Sequence, residues 1–226
     1  MPDQAAIAPA HVNPGEIHLW KLLASDDQQA TRSWLGPDEL TRYQGFSVPL
    51  QARRYLVFRC AMRQILGAYL GIAPEGVSFA IQQGGKPFIG IPGCDLQFNL
   101  AHAGDVGLLA VSRGMAVGTD IEQMRPLRSR HRIARRVFSS DETRLLAELA
   151  EDKQDEYFFQ LWTSMEARQK CRGNGIFGNR VSRRSVGIHQ FSPLPRYLAA
   201  VAWDQPSVKP ALHFLDWPAM RKTMPY

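Results

Sequence analysis

Across residues 52–69 the side chains Tyr55, Leu56, Phe58, Met62, Ile65, Leu66 and Tyr69 recur at intervals of three and four. That spacing stacks apolar groups on one face and predicts a long buried helix, with Gly71 as its stop. The surrounding segments read differently. Residues 16–23 alternate and then run apolar, the pattern of a strand, and 77–81, 98–100, 106–112 and 115–121 read as short strands. Gly or Asn separates them, and Gly84-Gly85 marks a turn. Asp26 and Asp27 favour a helix start, and Gly36-Pro37-Asp38-Glu39-Leu40 reads as a short capped helix. Helices are predicted at 132–138, 140–149 and 155–172, the second opening on a Ser cap followed by Glu142. Strand-like runs at 184–191, 197–203 and 211–217 follow. This order predicts an α+β fold of two similar halves, 1–105 and 106–226, meeting near residues 104–114.

The 226 residues are 45% apolar and 21% charged, a globular composition that excludes disorder or coiled coil as a description of the whole. Lys and Arg number 27 against 21 Asp and Glu, a formal charge of +6 that suits an anionic partner: nucleic acid, a phosphate ligand or an acidic protein. No stretch approaches the ~18 to 20 apolar residues of a membrane span, and residues 1–14 lack a basic region followed by an apolar run. A cytoplasmic chain without membrane contact is expected. Cys60, Cys94 and Cys171 form neither a CxxC pair nor an even set, so reduced thiols are expected.

Several short segments carry chemistry. In Val117-Gly118-Thr119-Asp120-Ile121-Glu122 two carboxylates stand two residues apart on a strand, on one face at roughly 7 Å, and can share a hard cation or simply be solvated. Trp162, Glu166 and Lys170 follow at i, i+4, i+8 along a helix, either as a third carboxylate beside a phosphate-binding amine or as a surface pair. His102 ends the apolar strand Phe98-Asn99-Leu100-Ala101, where it can grip a phosphate or serve structure alone. Gly84-Gly85-Lys86-Pro87-Phe88 presents an amine beside exposed N–H groups in a turn. Arg59 and Arg63 share a helix face, to meet phosphates or to solubilise it.

Together these segments stand in a recognisable order: GKP, FNL-x-H, G-x-DIE, F-S-x-x-E and W-x-x-x-EA-x-x-K. The chain resembles the surfactin-type 4′-phosphopantetheinyl transferases from about Gly36 to Gly178. The resemblance implies two pseudo-symmetric α+β halves with coenzyme A in the cleft between them. It also implies Mg²⁺ bound by Asp120, Glu122 and Glu166, and transfer of phosphopantetheine from coenzyme A to a serine of a carrier protein, releasing adenosine 3′,5′-bisphosphate. Glu166 is then the base for the serine, and Lys170 steadies the pyrophosphate. Lys86, Pro87 and His102 hold coenzyme A, with Arg42, Arg54 or Arg59 at its 3′-phosphate.

The resemblance also implies an acidic acyl or peptidyl carrier as partner and a monomer that supplies both sides of its cleft; the basic run between Arg125 and Arg136 can dock such a carrier or serve only as a solvated helix face. The chain departs from the family's pattern at three places: Met165 where a lysine usually precedes the glutamate, Ala101-His102-Ala103 for Ser-His-Ser, and Thr119 before the DIE triplet. These departures leave open a member that binds coenzyme A or a carrier without efficient transfer. A basic nucleic-acid-binding protein is the remaining reading, but the sequence holds no motif for it.

Overall fold

The computed structural model describes residues 11–26, 30–173 and 185–217. The chain opens with β1 (Glu16–Leu23), a 3-10 turn at Arg32–Trp34, α1 (Pro37–Gln44) and α2 (Pro49–Leu70). Then come β2 (Phe79–Ile81), β3 (Pro87–Ile89), β4 (Leu96–Ala103), β5 (Val106–Arg113) and β6 (Val117–Gln123). Three helices follow, α3 (Arg130–Val137), α4 (Ser140–Glu148) and α5 (Glu151–Cys171), and then β7 (Gly187–Phe191), β8 (Tyr197–Trp203) and β9 (Ala211–Asp216). The α+β class predicted from sequence is the class observed.

Two sheets lie face to face between two helices. The first has the order β4-β5-β1-β9, the second β6-β8-β7, and β2 and β3 form a separate hairpin. Alternation along β1 sets the layers: Trp20 and Leu22 point to α2, where they meet Phe58, Met62 and Ile65, while Ile17 and Leu19 point to the second sheet, among Val117, Ile121, Ala199 and Val201. Both faces of β5 are therefore covered, and seven of its eight residues are buried. This is why its sequence runs apolar instead of alternating. Each large side chain fully buried in these layers contributes about 1.5–3 kcal/mol.

α1 is capped by the Glu39 carboxylate, which accepts the Gly36 N–H at 3.0 Å. α4 carries the predicted Ser139–Glu142 reciprocal cap. α2 ends at Gly71, whose φ of +69° is a left-handed stop that glycine adopts without steric cost. The three cysteines are free thiols.

The predicted strand at 77–81 shortens to Phe79–Ile81 because the Val77 carbonyl accepts from Arg63 (2.9 Å) and leaves the ladder. β4 extends beyond the predicted 98–100 at both ends. Of the helix start placed at Asp26 and Asp27, Asp27 lies outside the described residues, as do residues 174–178 and Arg184 of the segments read near the third helix and the seventh strand. The division placed between residues 105 and 106 falls in the turn of the β4–β5 hairpin, and β9 returns to pair in parallel with β1. The two halves thus share a sheet.

Candidate active site

The site is built where α5 lies on β6. A Cβ at Gly118 would fall 2.1 Å from the Cys171 nitrogen and 2.3 Å from the Ala167 carbonyl oxygen, so only glycine lets the helix backbone rest on the strand. That contact holds two turns of α5 directly over the even-numbered residues of β6. Asp120 and Glu122 project towards the helix, and Glu166 and Lys170, one turn apart on α5, meet them.

Asp120 is buried, and its Oδ1 accepts from the Lys170 ammonium at 2.6 Å. Its Oδ2 is also buried and meets no donor among the described residues. Desolvation is the main force pushing its carboxyl up to about 7; Lys170 opposes the rise, and Glu166 and Glu122 reinforce it. Glu166 is buried too and shifted upward, first by desolvation and then by Glu122, again opposed by Lys170. Glu122 is half-buried, 3.6 Å from Arg125. Three mutually repelling carboxylates, one with an orphaned buried oxygen, have the oxygen-rich chemistry that a hard divalent cation such as Mg²⁺ takes, but their oxygens do not all lie within 4.8 Å of one another, so side-chain movement is needed to close them on one ion.

Opposite this cluster stands His102 at the end of β4. Its ring stacks on Phe58 with centroids 5.2 Å apart. Burial of that ring, added to by the cations Lys170, Arg54, Arg59 and Arg42, holds its imidazole below the ordinary histidine range, although the residue keeps an exposed outer edge. The structure therefore gathers His102, Lys170 and three arginines predicted from separate segments into one positive field. A cavity of about 220 Å³ beside them is lined by Arg42, Tyr55, Arg59, Pro87 and His102. Arg42 and Arg59 both lie against the Tyr55 ring, at 5.6 and 5.3 Å. Arg54 is paired with Asp105 at 2.7 Å.

Lys86 stands at the edge of β6, where its amine donates to the Val117 carbonyl at 2.7 Å, and burial lowers its pKa. Asn99 holds the same edge, accepting the Thr119 N–H at 2.8 Å. The sequence reading gave Asn99, Gly118, Tyr55 and Phe58 no role of their own at the site, Tyr55 and Phe58 being read only as the apolar face of the long helix. Asn99 could have been found there, since a buried amide between Phe98 and Leu100 in an apolar strand requires a partner. Thr119 is buried and donates to the Ala200 carbonyl, which keeps it in the sheet and away from the carboxylates. Ala101 and Ala103 face the packing between the sheets, on the side of β4 opposite His102.

Arg63 is corrected on both readings. It is buried, paired with Glu39 at 2.7 Å and bonded to the Pro74 and Val77 carbonyls, so it ties α2 to the following turn. In the basic run, Arg130 is spent on Gln154 and Asp155 of α5. Arg125, Arg128, Arg132 and Arg135 are exposed. Trp162 stacks on Phe158 and anchors its helix to the small core beneath α3 and α4.

A carboxylate cluster between α5 and β6, beside a cation-lined cavity, has the chemistry to hold a phosphorylated ligand. The family model of the 4′-phosphopantetheinyl transferase superfamily matches residues 116–199, which span β6 to β8 and contain all three carboxylates. The chain is 36% identical to the 4′-phosphopantetheinyl transferase HetI of Nostoc sp. over 166 residues, 71% of this chain and 70% of that one. It is 27% identical to the 4′-phosphopantetheinyl transferase Sfp of Bacillus subtilis over 175 residues, 77% and 75% of the two chains. A third relative, the 4′-phosphopantetheinyl transferase AcpT of Escherichia coli, is 37% identical over 117 residues, 52% and 58% of the two chains. The chain belongs to the 4′-phosphopantetheinyl transferase superfamily and is a transferase of that type.

Proposed function

We propose that the protein transfers 4′-phosphopantetheine from coenzyme A to a serine hydroxyl of an acyl or peptidyl carrier protein, with Mg²⁺ held by Asp120, Glu122 and Glu166. The observation that carries this reading is the buried, unpartnered Asp120 Oδ2 beside Glu166 and Lys170, in reach of the positive field around His102. A bound Mg²⁺ would offset the charge of the diphosphate. His102, with Arg42, Arg54 or Arg59, binds the phosphates at the adenosine end, and Pro87 and Tyr55 wall the cavity. Lys86 fixes β6 and with it the height of the carboxylates.

In the transfer step the serine Oγ forms a bond to the phosphorus bearing the pantetheine arm, and the bond from that phosphorus to the bridging oxygen breaks. Adenosine 3′,5′-bisphosphate leaves, and the serine proton goes to Glu166. Glu166 stands beside Lys170 to take that proton, and Lys170 meets the charge growing on the leaving oxygen. The exposed Arg125, Arg128, Arg132 and Arg135 offer an acidic carrier a docking face next to the site. A single chain supplies every group named, so the working unit is a monomer. Among the described residues no helix is long and apolar enough to cross a membrane.

Intact-mass analysis of carrier proteins incubated with the protein, coenzyme A and Mg²⁺ tests the reading. A gain of one phosphopantetheine is expected, lost with chelator and in Asp120→Ala and Glu166→Ala. A gain that survives chelation or either substitution would defeat the metal assignment. Retained coenzyme A binding without any gain would favour the non-transferring alternative.

A further inference from the structure

A second cluster of metal-binding side chains lies away from the carboxylate site, on the first sheet. Glu16 and His18 occupy the same face of β1, and the parallel register sets His213 of β9 directly opposite His18. Each offers a ligand atom within 4.8 Å of the others. His18 Nε2 is 3.5 Å from Glu16 Oε2, and His213 Nε2 is 4.0 Å from Glu16 Oε1. Metal–ligand bonds of ~2.0–2.1 Å at tetrahedral angles separate ligand atoms by ~3.3 Å, so only small side-chain shifts are needed to close this set on one ion.

Hydrogen bonds hold two of the three side chains in place. His18 is 1% exposed, and its Nδ1 is 2.6 Å from the Tyr69 hydroxyl, which also accepts from Trp20 Nε1 at 3.0 Å. A partner on Nδ1 fixes the ring and turns Nε2 towards Glu16, the arrangement by which outer groups aim a metal-binding imidazole. Glu16 is held in turn by the Asn13 backbone N–H and side-chain amide.

We propose that Glu16, His18 and His213 bind a Zn²⁺ ion that pins β9 to β1. Two imidazoles and one carboxylate select a borderline transition-metal dication over Mg²⁺. His213 and Glu16 keep solvent-exposed area, which gives the ion an entry path and room for a water as fourth ligand. β9 is the edge strand of its sheet, paired only with β1 among the described residues, so the ion would bind where the sheet is held on one side alone.

The test is Co²⁺ titration of chelator-stripped full-length protein in excess Mg²⁺, read by visible absorption, followed by Zn²⁺ displacement and a thermal melt. One equivalent with the spectrum of four-coordinate, nitrogen-bearing Co²⁺ is expected, displaced by Zn²⁺, with a rise in Tm. His213→Ala removes an exposed side chain and should fold, yet bind Co²⁺ at least about tenfold more weakly. Glu16→Gln serves as a second variant with the same expectation. Glu166→Ala, altered only in the transferase site, should keep the equivalent. Equal Co²⁺ binding by wild type and His213→Ala, or its loss in Glu166→Ala, would overturn the proposal.

Discussion

Met165 precedes the buried Glu166 on α5 and is itself half-buried. Restoring lysine there adds a cation next to the diphosphate, and charge-assisted contacts are worth ~1.5–3 kcal/mol. Met165→Lys is expected to raise the transfer rate by about tenfold in an intact-mass time course; an unchanged rate would mean that Arg168, one turn of helix away, already supplies the charge. His102 carries a pH signature of its own. Burial and the surrounding cations hold its imidazole below the ordinary histidine range, which favours the neutral ring in the free protein, while a bound phosphate dianion favours the imidazolium. Coenzyme A binding should therefore take up a proton, and weaken as pH rises and the imidazolium is lost. Calorimetry in two buffers of different ionisation enthalpy would detect the uptake, and His102→Gln should lose it. Equal heats in both buffers would remove His102 from the phosphate site.

At the level of elements the decisive contact is α5 on β6. Gly118→Ala forces backbone from backbone, because the atoms it meets are a main-chain nitrogen and carbonyl oxygen that cannot swing aside. A loss of about 2–3 kcal/mol in urea unfolding is expected, together with transfer activity reduced even under conditions where the protein remains folded. Asn99→Ala should cost about 1–3 kcal/mol by leaving the buried Thr119 N–H without its acceptor. These two positions mark the limit of what the sequence makes legible. Regular spacing revealed α2 and α5, and the order of Asp120, Glu122, Glu166, His102 and Lys170 pointed to one family. Periodicity speaks only along a strand or helix, however, and the ties that decide the height of β6 run between them. Asn99 to Thr119 spans 20 positions and Lys86 to Val117 spans 31, each joining a side chain to a main-chain atom of another element. A glycine inside G-x-DIE likewise looks like a weak point in a strand until the helix that rests on it is known. Arg63 shows the converse, since its spacing put it beside Arg59 while burial gave it an internal partner in Glu39.

For the molecule as a whole, the excess of six positive charges, with the exposed Arg125 beside Glu122, would make encounter with the proposed acidic carrier sensitive to salt. The carrier KM should rise several-fold between low and physiological ionic strength with kcat little changed, and Arg132→Glu with Arg135→Glu should produce the same rise at low salt. A KM indifferent to both would move the carrier to another face. Solution scattering should return the mass of a single chain. The return of β9 to β1 has a consequence for synthesis. A ribosome delivers residues 211–216 after every other described strand, so during translation the main-chain groups along that side of β1 wait without their mates. The sheet of β1 therefore closes late, and a nascent chain stalled before Ala211 would present an open strand edge on β1, whose mates are made almost two hundred codons later.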